Sequence, residues 1–255
     1  MQKFIEFFAM KPENQVSGLL ASVFGLIAAM FTVGMGIPQL VKILKDKKVG
    51  EIKYYSFWIF FIAINGWVIF GGFTESKLIP AVYANALCSL LYIANLFALY
   101  RYSNTQWRKK GQWVVLGIAM TISFASIISG FIGVYWNGKG LAFDANTSGV
   151  LSTIVPMVTT FAFAPQILKS FETKNFKGMS IWLTLVFIIA NTAWILYWIF
   201  GIANQGVKSF MLNALVWQVI QIAIYGAQFW MQISMAKKEK AQKNTEQPIV
   251  ENNNL

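Results

Sequence analysis

The chain has 255 residues, of which 56% are hydrophobic and only 12% carry a charged side chain. Soluble domains average about 25% charged residues, so this composition predicts an integral membrane protein. The single cysteine excludes a disulfide within the chain, and the absence of histidine excludes the common Cys/His zinc sites and histidine-based acid–base catalysis. We therefore expect no metal, no cofactor and no enzymatic activity.

Seven apolar segments are long enough to cross a hydrocarbon core of roughly 30 Å, which takes about 20 helical residues. In chain order they are 17–42, 54–73, 79–100, 112–135, 149–169, 179–202 and 209–234. Residues 1–16 lack the apolar core of a signal peptide and are predicted to be an extracellular N-terminal segment. Residues 236–255 are rich in charged and amide side chains and are predicted to be a disordered cytoplasmic tail.

The formal net charge of +11 follows from the expected membrane topology. Of the 21 Lys and Arg residues, 16 follow the first, third, fifth or seventh segment, and five lie on the other side. Short loops with such an excess face the cytoplasm, which predicts an outside N-terminus, a cytoplasmic C-terminus and no nucleic-acid partner. The excess of lysine over arginine is typical of an AT-rich genome, so we expect a bacterial plasma membrane.

The sequence also contains an internal repeat with a spacing of 127 or 128 residues. Three groups recur: Pro38, Gln39 and Lys42 as Pro165, Gln166 and Lys169; Trp67 as Trp194; and Asn85-Ala86-Leu87 as Asn213-Ala214-Leu215. Each copy holds three predicted helices, an odd number, and a linker helix follows the first copy, so both copies have the same orientation in the membrane. They are related by a two-fold axis along the membrane normal. The expected fold is all-α with seven transmembrane helices. Its parts are a first three-helix bundle (17–106), a linker helix and loop (107–147) and a second bundle (148–235).

The paired Pro-Gln motifs, the helix number and the predicted topology resemble the PQ-loop superfamily, and the polar residues are most similar to its SWEET and SemiSWEET sugar transporters. The resemblance covers residues 17–234. It implies a transporter that moves a small polar solute, in the first place a sugar, by facilitated diffusion with alternating access. The second helix of each bundle lacks the proline that plant and animal SWEETs carry there, so the gating is predicted to be closer to that of the bacterial relatives.

The two Pro-Gln pairs are predicted hinges. A proline removes a backbone donor and clashes with the carbonyl four residues earlier, here that of Gly34 or Phe161. The following Gln39 or Gln166 is expected to supply a hydrogen-bond partner for the freed carbonyl or for a neighbouring helix. A static kink is the alternative.

Polar residues on the third helix of each copy form the candidate substrate site. Asn85, Ser89 and Tyr92 share one helix face, as do Asn213, Trp217 and Gln221. Asparagine amides bind hydroxyl groups and an indole ring contacts the apolar face of a sugar, so these residue types suit a hexose.

The resemblance assigns substrate binding to Asn85, Asn213 and Trp194, the last within a run that starts at Asn191. Trp67 is the weaker match in the first copy, because its neighbour Asn65 is displaced by one position. The alternative for the asparagines is interhelical hydrogen bonding, worth roughly 0.6 to 2 kcal/mol each.

Three other functions remain open. A proton-coupled amino acid exporter of the cystinosin type needs a titratable group inside the membrane, whereas Glu75, Asp144 and Glu172 lie at helix ends or in loops. A vitamin or nucleoside carrier of the PnuC type would use the same amides and indoles. A seven-helix receptor like the KDEL receptor would use membrane-embedded charges. The expected partners are the solute and the bilayer, and whether the chain forms a homo-oligomer is left open.

Overall fold

A computed structural model describes residues 1–50, 52–75, 77–136, 140–173 and 180–246. The described residues form eleven α-helices. Their bounds are α1 Gln2–Phe7, α2 Gln15–Gly34, α3 Ile37–Asp46, α4 Tyr54–Phe73, α5 Ile79–Arg101, α6 Gln106–Lys110, α7 Gln112–Trp136, α8 Ala145–Phe161, α9 Ala164–Thr173, α10 Ile181–Gln205 and α11 Ser209–Glu246. Six helical segments in this part of the chain are long and apolar enough to span a membrane, with α2 and α3 counted as one. Helix α8, with 17 residues, is shorter.

The first and fifth predicted segments are each interrupted before their proline. Helix α2 ends at Gly34 and α3 begins at Ile37, while α8 ends at Phe161 and α9 begins at Ala164. Pro38 and Pro165 therefore occupy the second position of a new helix. The N–H groups of the first turn make no hydrogen bond within the helix, so a proline there loses none. The sequence predicts a bend within a continuous helix, whereas the structure has a break, because the proline cannot bond to the carbonyl four residues earlier.

The helix contacts follow a two-fold pattern. In the first copy of the repeat α5 packs against both α2 and α4, and in the second copy α11 packs against both α8 and α10. Between the copies α2 packs against α10, and α4 packs against α8. Because the repeat relates α2 to α8 and α4 to α10, exchanging the copies turns one of these interfaces into the other.

Helix α7 packs against α4 and α5 at a close approach that requires glycine. A Cβ atom added at Gly130 would lie 2.6 Å from Cγ1 and 2.7 Å from the carbonyl oxygen of Val68. One added at Gly133 would lie 2.7 Å from the carbonyl carbon of Gly72. Small residues let helix backbones approach closely and pack well. Such packing is needed in a membrane, because the hydrophobic effect there does not favour helix–helix contact over helix–lipid contact.

We predict that Gly130→Ala destabilises the folded protein by about 1 to 3 kcal/mol, because α7 must move away from α4 to make room for the methyl group. The measurement is thermal unfolding of the purified protein in detergent. Gly117→Ala is the matched control, since a Cβ at this position of α7 meets nothing within 4 Å. Equal unfolding temperatures for the two variants would contradict the prediction.

The N-terminal segment packs onto the helices rather than extending away from them. Ile5, Phe8 and Met10 are buried in an apolar cluster with residues of α2, α10 and α11. Asn204, near the end of α10, accepts from the backbone N–H of Lys11 at 2.7 Å and donates to the Lys11 carbonyl at 3.0 Å. Residues 1–14 thereby cover the end of the α2–α10 interface.

Helix α11 continues through Glu246, beyond the predicted end of the seventh segment at residue 234. Residues 236–246, which the sequence predicts to be part of a disordered tail, are therefore helical. Alanine, lysine, glutamate and glutamine have high helix propensity, and a preceding helix removes the cost of nucleation. Residues 247–255 lie outside the described part of the chain.

Candidate functional site

A cavity lies between the two copies of the repeat. It is lined by Thr32, Met35, Phe60, Ile64, Trp67, Ala81, Asn85, Thr159, Phe187, Asn191, Trp194, Trp198, Gln218 and Gln221. These residues come from both copies, and none of the lining side chains in the described structure is charged. The cavity therefore suits a neutral solute with hydrogen-bonding groups.

Two tryptophans are held in the cavity wall by equivalent hydrogen bonds. The indole N–H of Trp67 donates to the hydroxyl of Thr159 at 3.0 Å, and that of Trp194 donates to the hydroxyl of Thr32 at 2.9 Å. Each bond joins one copy to the other, and the 127-residue spacing relates Trp67 to Trp194 and Thr32 to Thr159. The site residues predicted from the sequence include the tryptophans but not the threonines, although the same spacing relates the threonines.

Asn85 and Asn191, two of the residues that the sequence predicts to bind substrate, both line the cavity. Each side-chain N–H₂ group donates to a carbonyl one helical turn earlier, that of Ala81 at 2.8 Å and that of Phe187 at 2.7 Å. Within the described residues no group donates to Oδ1 of either asparagine. Each amide therefore retains an acceptor oxygen and a second N–H for a solute.

Asn213, the third predicted asparagine, is not among the residues that line the cavity. Its side-chain nitrogen donates to the hydroxyl of Ser152 at 2.9 Å and to that of Thr153 at 3.2 Å, both on α8. In its place α11 contributes Gln218 and Gln221 to the cavity. Gln221 belongs to the predicted polar face of this helix, whereas Gln218 does not.

Ring contacts show how the third helices of the two copies correspond. Tyr92 of α5 packs on Phe60, with ring centroids 5.0 Å apart, and Tyr225 of α11 packs on Phe187 at 4.6 Å. Phe60 and Phe187 are equivalent at the 127-residue spacing, so Tyr92 and Tyr225, which are 133 residues apart, occupy equivalent places.

This larger spacing relates Asn85 to Gln218 rather than to Asn213. Helix α10 accounts for most of the difference, because it continues to Gln205, five residues past the position equivalent to the end of α4 at Phe73. The feature that both helices share in the sequence is a carboxamide residue seven positions before a tyrosine. The repeated Asn-Ala-Leu hides this feature, because it aligns Asn85 with Asn213.

The carbonyl of Gly36, in the break between α2 and α3, accepts from the backbone N–H of Leu40 at 3.1 Å and has a second partner on α5. The side-chain nitrogen of Asn95 donates to it at 2.9 Å. The same nitrogen would lie 2.7 Å from a Cβ atom at position 36, so this contact requires glycine there.

Gln39 joins the two copies near the start of α10, so its hydrogen bond goes to a neighbouring helix, which is one of the two partners that the sequence predicts. Its Oε1 accepts from the backbone N–H of Ser180 at 3.3 Å, and the side chain is only 2% exposed. Gln166 lies in the first turn of α9, and its side chain is outside the described part of the structure. We call the end of the molecule marked by Gln39 and Ser180 the basic end, because the sequence places most lysines and arginines there.

Aromatic rings separate the cavity from the basic end. Phe163, in the break between α8 and α9, packs against the cavity residues Phe60 at 5.4 Å and Phe187 at 5.9 Å between ring centroids. All three rings are fully buried. In this conformation aromatic residues of both copies therefore pack together between the cavity and the basic end.

The carboxylates considered for proton coupling lie on the surface. Glu75, Asp144 and Glu172 are exposed, and none of them lines the cavity. Hydrogen bonds from the side chain and the backbone of Thr147 hold the pKa of Asp144 below its ordinary value. Because the pKa is lowered, this cap of α8 is intact at neutral pH and is lost only as the pH falls through the lowered pKa.

Known proteins similar to this chain share the repeat and the fold. A family model described as "PQ loop repeat" matches residues 147–207. A sugar transporter SemiSWEET from Escherichia coli (strain UMEA 3162-1) is 44% identical over 39 residues, which are 15% of this chain and 44% of the relative. The chain thus matches less than half the length of that protein.

A solved structure of a eukaryotic SWEET transporter at 3.7 Å resolution superposes with a TM-score of 0.52. The superposition covers 84% of this chain and 99% of the other, at 12% sequence identity, and so shows a common fold. With apolar helices long enough to span a bilayer, the chain is an integral membrane protein that contains a match to the PQ loop repeat at residues 147–207 and shares the fold of this SWEET transporter.

Proposed function

We propose that this protein transports a small neutral sugar across a membrane by facilitated diffusion. The observation that carries the proposal is the uncharged cavity between the repeat copies, which combines carboxamides with two fixed indole rings. Carboxamides bind hydroxyl groups and indoles contact the C–H face of a pyranose, so both parts of a sugar have a partner. The similarity to a bacterial protein named as a sugar transporter supports transport, and not catalysis, as the function.

The proposed architecture is two parallel three-helix bundles joined by α7, with the basic end in the cytoplasm and the N-terminus outside. The symmetric α2–α10 and α4–α8 interfaces support this arrangement, because they give the bundles two equivalent contacts along which to move. Alternating access then requires two contacts to separate when the cytoplasmic side opens. They are the packing of Phe163 against Phe60 and the hydrogen bond between Gln39 and Ser180.

The absence of an acidic or histidine side chain from the described cavity lining supports passive transport over proton coupling. We expect purified protein in liposomes to exchange labelled glucose until inside and outside concentrations are equal. Lysine and nicotinamide riboside, offered as competitors, should leave this exchange unchanged.

A pH gradient of about two units should not alter the final glucose level, because no cavity group takes up a proton over that range. The measurement is glucose accumulation at steady state with and without a protonophore. Accumulation well above equilibrium that the protonophore abolishes would show proton coupling. Uptake of lysine or nicotinamide riboside in place of glucose would instead overturn the assignment to sugars.

A further inference from the structure

The N-terminal segment ties the two copies of the repeat together at the end of the molecule opposite the basic end. We call this the outer end, and it is where α2 begins and α10 ends. Residues 1–14 lead directly into α2 of the first copy, so each bond between them and α10 joins the first copy to the second. Besides its two bonds to Lys11, Asn204 donates to the carbonyl of Asn14 at 3.2 Å, and the Asn14 side chain donates to the Asn204 carbonyl at 2.9 Å.

These bonds come from a turn of α10 that α4, its equivalent in the first copy, does not have. Helix α10 continues to Gln205, five residues past the position equivalent to the end of α4 at Phe73. Asn204 and Gln205 both lie in this added turn, and the side-chain nitrogen of Gln205 donates to the carbonyl of Ala9. The lengthening of α10 therefore supplies the groups that hold the N-terminal segment.

The N-terminal segment is held by these partners and not by the preference of its own backbone. Ala9 has a φ of 59°, in the left-handed region, where a residue with a Cβ atom is strained. Ile5 and Phe8 on the same segment are buried, at 0% and 3% exposed. The segment keeps this conformation only while its contacts with the helices last.

The segment also approaches α2 so closely that α2 needs a glycine at the contact. A Cβ atom added at Gly18 would lie 2.9 Å from Cγ2 of Ile5 and 3.1 Å from Nδ2 of Asn204. It would also lie 3.3 Å from the carbonyl oxygen of Lys11. Helix α2, the N-terminal segment and the added turn of α10 thus meet at one point.

We propose that residues 1–14 and the added turn of α10 form a latch, which holds the outer end closed and releases when that end opens. Asn204 is its positioning residue, since it bonds to both the segment and the start of α2. The proposal rests on the alternating access of the proposed function, because the two copies must separate at the outer end in one of the two states. Release is reversible because water at the membrane surface replaces the broken hydrogen bonds, so each costs little.

The experiment measures how often the cavity opens to the outer side. Ala81 lines the cavity and lies in the first turn of α5, near the outer end, so Ala81→Cys places a thiol there as a reporter. A membrane-impermeant maleimide is added to spheroplasts, where it reaches the protein only from outside. The rate of labelling then follows the population that is open at the outer end.

Two variants release the latch from different sides. Asn204→Leu removes the side-chain hydrogen bonds from α10, and Gly18→Ala inserts a methyl group between α2 and the segment. In each we expect the reporter at position 81 to be labelled about fivefold faster than with the latch intact. The variants lie in different helices, so one remains informative when the other does not fold.

Gly149→Ala is the matched control for Gly18→Ala. Gly149 lies near the outer end of α8, and a Cβ atom there meets nothing within 4 Å, so the labelling rate should stay unchanged. The native Cys88 controls for loosening of the whole fold, because it is fully buried and does not line the cavity. In the latch variants without the reporter, Cys88 should be labelled no faster than in wild type.

Labelling of the reporter at the wild-type rate in both latch variants, with a lower unfolding temperature, would reduce the segment to a packing element and overturn the proposal. Equal acceleration at Cys88 would also overturn it, because the variants would then have loosened the fold as a whole. The labelling needs no solute. Wild-type protein that exchanges no glucose would therefore overturn the assignment to sugars without changing the result for the latch.

Discussion

Replacing Asn85 by leucine should lower glucose exchange at least about 100-fold while leaving the protein folded. The change removes the acceptor and donor that this amide offers to the cavity, and it breaks only a hydrogen bond to a carbonyl of the same helix. Leucine has the same branching and number of side-chain heavy atoms as asparagine and is favourable in a membrane helix. The measurements are exchange in proteoliposomes and thermal unfolding in detergent.

The same change at Asn213 serves as the comparison, because its amide bonds Ser152 and Thr153 and does not line the cavity. Asn213→Leu should reduce stability by about 1 kcal/mol, and the folded protein should retain exchange within about threefold of wild type. Loss of exchange in stable Asn213→Leu protein, together with normal exchange in Asn85→Leu, would overturn the assignment of the cavity as the substrate site.

Removing the prolines at the two helix breaks should slow exchange about tenfold while leaving glucose affinity unchanged. In Pro38→Ala or Pro165→Ala the new N–H group can bond to the carbonyl of residue 34 or 161, which favours a continuous helix over the break. A continuous helix resists the bending that opening of the basic end requires. The rate is measured by equilibrium exchange and the affinity by calorimetry.

Pro156→Ala is the control for this pair, since Pro156 lies inside the intact helix α8 rather than at a break. Exchange by this variant should match wild type. If Pro38→Ala and Pro165→Ala also exchange at the wild-type rate, the Pro-Gln pairs are static features and the hinges lie elsewhere.

The sequence by itself determined the class of protein and much of the local structure. Helix α4 begins at Tyr54 and ends at Phe73, the predicted bounds, because a run of apolar residues between polar loops specifies a membrane helix without reference to its neighbours. The repeat likewise placed Trp67 and Trp194 at equivalent points of one cavity. Both results depend on information that is local or that repeats at a constant spacing.

The tertiary structure decided which polar side chains meet. Asn213 and Gln218 lie on the same helix, and their roles depend on how far α11 is shifted along its axis by the longer α10 before it. Asn95, whose side chain donates to the Gly36 carbonyl from α5, is 59 residues away from it and has no motif that marks it. The height and rotation of a helix are set by side-chain packing across the whole bundle, and hydropathy and spacing along one segment do not encode them.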